Sequence, residues 1–125
     1  MKTKIYTQHE EHSEWLNKLS FYKDELKIMQ EKLEEISSKN TGLDVRKSIE
    51  HFQNQFIIQK SNSDDIREHI QLDEKKIAEN VKQNPVASDH RKTEDHAKER
   101  DMLESFESNF NLLRQEFKAF LADKM

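Results

Sequence analysis

Six histidines stand among 25 acidic residues in this chain of 125. Imidazole together with carboxylate is a donor set that holds zinc, iron, copper or nickel. Two pairs, His69 with Asp73 and His90 with Glu94, have the four-residue spacing that puts both side chains on one face of a helix. His12 falls on an apolar stripe, His69 and His96 flank such stripes, and Asp73 lies directly on one, where an uncompensated carboxylate would be costly to bury. The metal site these residues predict uses His12, His69, Asp73 and His96, with zinc or iron as the cofactor. Against it stand several missing motifs. No Glu-x-x-His occurs, so the di-iron pattern of carboxylate bundles is absent. His9-Glu10-Glu11-His12 spaces its histidines by three rather than the four of His-Glu-x-x-His. The competing reading is ordinary polar contact at the solvated end of long helices.

The elements that must position these residues follow from hydrophobic periodicity. Trp15, Leu19, Tyr22, Leu26, Met29, Leu33 and Ile36 advance by alternating steps of four and three, as in a coiled-coil seam, and the stripe extends back through His12 and Gln8 to Ile5. Thr7-Gln8-His9-Glu10 reads as a capping box that starts this helix, and Asn40 as a left-handed residue that ends it. A second seam runs Val45, Ile49, Phe52, Phe56, Gln59, Ser63, Ile66, Ile70, Asp73. It holds phase through Ser61-Asn62-Ser63-Asp64-Asp65, so one continuous helix from about Thr41, with Asp44 as capping partner, is preferred over a break. A third helix, opening near Ser88 or at Pro85, carries Leu103, Phe106, Phe110, Leu113, Phe117 and Phe120, with His90, Thr93, His96 and Arg100 on or beside its polar start.

The pattern predicts an all-α fold: an antiparallel up-down-up bundle of three long helices with coiled-coil-like packing, in one domain over residues 1–125. A turn near residue 41 sets residue i of the first helix beside roughly residue 82 minus i of the second. The bundle is then asymmetric. One end is rich in Phe, Leu and Ile, and the other gathers His9, His12, His69, His90 and His96.

Composition excludes other chemistries. Gly42 is the single glycine, so glycine-rich phosphate loops cannot form. With no Cys there are no disulfides, thiolate metal sites or cysteine nucleophiles. Lys and Arg (21) are interspersed with the acidic residues for a net charge of −4, which argues against nucleic acid as a partner. No apolar run suggests a membrane span and the start lacks a signal-peptide core, so the expected location is cytoplasmic. No catalytic motif is found, and the chain is expected not to be an enzyme.

Some apolar residues lie off the seams. Phe21 and Ile28 are one heptad apart on the first helix, and Ile57 and Ile58 sit off the second seam. They are the expected interaction patch for a second copy of the chain or another helical protein. The leading expectation is therefore a non-enzymatic structural or interaction bundle that self-associates; the alternative is a metal-binding bundle with its site at the histidine end.

Overall fold

A computed structural model describes the backbone of residues 4–83 and 85–124, with side chains described for residues 7–76, 78, 79 and 96–124. It contains three helices packed against one another: α1 Lys4–Lys39, α2 Leu43–Gln83 and α3 Pro85–Lys124. Contacts fix their directions. His12 meets Glu74 and Ser20 meets Arg67, while Phe52 meets Phe117 and Asp73 meets Glu99, so α2 runs antiparallel to both neighbours. Tyr22 meets Glu107, and Glu25 meets Arg114, so α1 and α3 run parallel.

The seams are the core. Trp15, Leu19, Tyr22, Leu26, Met29, Leu33 and Ile36 are all buried on α1, as are Ile49, Phe52, Phe56, Ile66 and Ile70 on α2 and Leu103, Phe106, Phe110, Leu113 and Phe117 on α3. The aromatic residues interlock edge to face: Phe117 sits against both Phe52 and Phe56 with ring centroids 5.2 Å apart in each pair. α2 passes through residues 61–65 without interruption, as the unbroken seam requires, and Ser63 takes its buried place there.

Three local expectations change. α1 begins at Lys4, before Thr7, so Thr7 is an exposed position inside the helix rather than its cap. The seam position Gln8 is buried, and the helix that presents it continues through the preceding turn. Asn40 does not adopt the left-handed conformation, since no described residue has a positive φ. It ends α1 differently: its backbone N–H and its side-chain amide both donate to the Ile36 carbonyl, at 3.0 and 2.9 Å. α2 begins after Gly42, whose carbonyl accepts from Arg46 N–H at 3.0 Å, with Asp44 at the positive end of the helix dipole.

The register also differs by about one turn. His12 meets Glu74 rather than Ile70, and Ser20 meets Arg67 rather than Asn62. Side chains on a helix lean toward its N-terminus. In an antiparallel pair the two leans are opposite, so side chains that touch come from residues about one position further along each chain than those whose Cα atoms are level, which accounts for about half of the change. The observed register brings Glu74, with Asp73 beside it, to His12.

Candidate metal centre

Each helix delivers its polar residues by continuing its seam past the last apolar position. On α1 the step back from Trp15 leads to His12 and then Gln8; on α2 the step beyond Ile70 leads to Asp73; on α3 the steps back from Leu103 lead to Glu99 and His96. All six are buried. The bundle therefore has a polar core layer made of two imidazoles and two carboxyl groups.

Three contacts of His12 define the layer. His12 Nε2 lies 3.0 Å from Glu99 Oε1, 3.2 Å from His96 Nδ1 and 3.8 Å from Asp73 Oδ2. Donor atoms of His12, His96 and Glu99 all fall within 4.8 Å of one another. The opposite nitrogen of each imidazole is held by a carboxylate. His12 Nδ1 donates to Glu74 Oε1 at 2.6 Å, and His96 Nε2 donates to Glu11 Oε1 at 3.1 Å. Those carboxylates are anchored in turn: His9 Nδ1 lies 2.9 Å from the second oxygen of Glu74, and Arg100 donates to both oxygens of Glu11 at 3.2 and 3.0 Å. Trp15 stacks on the His96 ring, centroids 4.7 Å apart, and closes the layer toward the apolar core.

The hydrogen bonds decide which lone pairs are available. A neutral imidazole has one N–H and one lone pair. With Nε2–H of His96 on Glu11, its Nδ1 lone pair faces His12; with Nδ1–H of His12 on Glu74, its Nε2 faces His96 and Glu99. Asp73 is hydrogen-bonded to the Glu99 carboxyl, and among the described residues no N–H donor reaches the buried Glu99 Oε2. Electron pairs thus converge here, and they are separated by a proton, on His12 Nε2 or shared by the Asp73 and Glu99 carboxyls, or by a metal cation. The ionisation of the groups follows. Burial disfavours charge on His12, but its hydrogen bonds to Glu99 and Glu74 outweigh that and raise its pKa above the ordinary value. Burial lowers His96, helped by the charge of His12, and the bond to Glu11 does not offset this. Burial and the adjacent Asp73 carboxyl push Glu99 up to about 7 against the pull of His12. Burial would raise Glu11, yet hydrogen bonds from His96 and Arg100 leave it below the ordinary value.

Comparison with family models, with curated proteins and with solved structures found no match.

Of the residues expected at a site, His12, Asp73 and His96 come together and His69 does not join them. His69 is exposed and borders a furrow above Asp73 and Glu99. The i, i+4 spacing places it on the same side of α2 as Asp73, but not on the seam. His90 and Glu94 lie outside the residues whose side chains are described. Glu99 is the buried carboxyl of the cluster that spacing from the histidines missed. The seam would have found it, because stepping back four from Leu103 gives Glu99 and three more gives His96. Arg100, expected in the polar layer, is exposed and serves Glu11 instead. The off-seam apolar residues Phe21, Ile28, Ile57 and Ile58 are all exposed. They do not share one surface: Ile28 borders the furrow between α1 and α3, beside Arg114, whereas Ile57 borders that between α1 and α2, beside Lys23. No described helix is long and apolar enough to cross a membrane.

Proposed function

We propose that this protein is a metal-binding helical bundle, holding one divalent transition-metal ion through His12 Nε2, His96 Nδ1 and a carboxylate oxygen of Glu99. The observation that carries this reading is the spacing of the three atoms around His12 together with the carboxylate behind each imidazole. Ligands about 2.0–2.1 Å from a tetrahedral ion lie about 3.3 Å from one another. The separations from His12 Nε2 to Glu99 and His96 are 3.0 and 3.2 Å. A carboxylate on the far nitrogen of a ligating imidazole fixes its tautomer and raises its basicity, and here Glu74 and Glu11 both stand in that position. Zinc fits the near-tetrahedral spacing; iron(II) is the other ion that two imidazoles and one carboxylate commonly hold.

Native mass spectrometry of the full chain, before and after chelator, tests the proposal. One zinc or iron per chain is expected, removed by chelator and restored by adding the ion. His12→Ala, His96→Ala and Glu99→Ala should each abolish stoichiometric loading, while His69→Ala should load normally. A wild-type chain that takes up no ion, or a His12→Ala chain that loads as well as wild type, refutes it.

Self-association is a second reading, supported by Phe21 and Ile28, which are 58% and 51% exposed one heptad apart on α1. The same mass spectra read it. A single monomer mass across a hundredfold range of protein concentration would remove it.

A further inference from the structure

Resting on the metal-binding reading, we infer that the described residues supply three ligands to the site, and that its fourth coordination position opens into the furrow between α2 and α3, where it takes a small exchangeable anion. Asp73 Oδ2 is 3.8 Å from His12 Nε2, farther than the two ligand atoms at 3.0 and 3.2 Å. The group whose donor atoms all lie within 4.8 Å comprises His12, His96 and Glu99. Asp73 therefore stands beside the ion's fourth position rather than in it, at hydrogen-bonding range of whatever binds there. Three protein ligands with one open position is the arrangement of exchange-competent sites, whereas four close a structural one.

Among the described residues, the surroundings leave one side for access. Between α1 and α2 the layer is covered by Glu74 with His9 and His12. Between α1 and α3 it is covered by Glu11 with His96 and Arg100. Trp15 covers it toward the core, and the buried Gln8 lies one turn beyond His12 on the other side. Between α2 and α3 there is instead a furrow of about 150 Å³. Its floor is Asp73 and Glu99, 6% and 2% exposed, and its rim is His69, Leu72, Lys76 and Lys98, all exposed. That volume admits a few heavy atoms, the size of azide, carbonate or a carboxylate head. The two rim ammonium groups favour an anion against the acidic floor.

Cobalt(II) replaces zinc as a visible probe of coordination, and azide serves as the test anion. The full chain is titrated with cobalt(II), then with azide against chloride at matched ionic strength. The expected result is a visible spectrum that forms at one equivalent and then shifts saturably with azide. Lys76→Glu and Lys98→Glu should weaken azide binding several-fold with cobalt affinity unchanged. Asp73→Asn should hold cobalt within a few-fold of wild type, unlike Glu99→Gln. A cobalt spectrum that ignores azide, or an Asp73→Asn chain that loses cobalt as fully as Glu99→Gln, overturns the inference and makes Asp73 the fourth ligand of a closed site. Failure of wild type to bind cobalt, zinc or iron at all would instead remove the metal reading itself, and this inference with it.

Discussion

The indole of Trp15 lies against the imidazole of His96 with centroids 4.7 Å apart and planes inclined by 22°. Trp15 is the single tryptophan of the chain, so its fluorescence reports on one ring of the polar layer. A paramagnetic ion held at His96 Nδ1 would be bonded to the ring on which the indole stacks and would quench its emission. Titration with copper(II) or cobalt(II) should therefore extinguish most Trp15 emission at one equivalent, and chelator should restore it. Quenching that needs a large excess of metal, or that survives His96→Ala, would mean the ion binds elsewhere.

Glu74 and Glu11 touch the imidazoles, not the proposed ion, and their replacement separates orientation from ligation. Glu74→Gln or Glu11→Gln keeps an acceptor oxygen at each histidine but removes the charge. Losing a carboxylate behind a ligating histidine typically costs 10–100-fold in metal affinity. The same loss is expected here by chelator competition, with the thermal midpoint of the metal-free protein shifting little. A His9→Ala chain, which leaves the Glu74–His12 bond in place, should show a smaller effect than Glu74→Gln. Equal affinities across all of these variants would detach the carboxylates from any role in ligation.

The seam was the most legible feature of the sequence. Positions assigned by alternating steps of four and three, from Trp15 to Ile36 and from Ile49 to Asp73, are buried without exception where they are apolar, and Gln59 and Ser63 are buried with them. Periodicity works because a long helix in a bundle has one face against two neighbours, and each step off that face is a step into water. The site was half legible. His12, Asp73 and His96 follow from seam or flank, but the i, i+4 relation of His69 to Asp73 reports a shared face and not burial. Glu99 was hidden because Lys98 and Arg100 on either side make it look like part of a solvated charge run. The partnership of His12 with Glu74 was not legible, since which antiparallel residues meet depends on side-chain lean, a property of three dimensions.

In the metal-free protein the polar layer should make stability depend on pH in a known direction. Glu99 on α3 faces Asp73 from α2 and His12 from α1, with His96 on its own helix. Its folded pKa is raised to about 7 from 4.5. Between those values the unfolded chain has released a proton that the folded chain retains, so stability is full below the lower value and falls as pH rises through the upper one, with a slope of up to about 1.4 kcal/mol per pH unit. His12, also raised, acts in the same direction and titrates jointly with Glu99. Glu99→Gln imitates the protonated carboxyl. Measured by urea denaturation in chelator, its stability relative to wild type should climb from pH 5 to pH 8. A constant difference across that range would show that Glu99 ionises normally in the folded chain.

Two phenylalanines on neighbouring helices should respond oppositely to truncation. Phe110 is 0% exposed and packs on Tyr22 at 4.7 Å and Phe106 at 5.8 Å, in the stretch where three seams converge. Removing such a ring leaves a cavity that long, rigid helices cannot collapse around, and Phe110→Ala should cost about 3–5 kcal/mol. Phe21 is 58% exposed and touches Tyr22 only edge-on at 5.9 Å. Phe21→Ala in the monomer should stay within about 0.5 kcal/mol of wild type. If Phe21 is buried between copies in solution, the variant's loss relative to wild type will instead grow with the logarithm of protein concentration, because association adds to the apparent stability of the folded chain by mass action. Denaturation of both variants at two protein concentrations a hundredfold apart therefore checks the core assignment and the second reading together: a concentration-independent loss at Phe110 with none at Phe21 identifies a core that a single chain completes by itself.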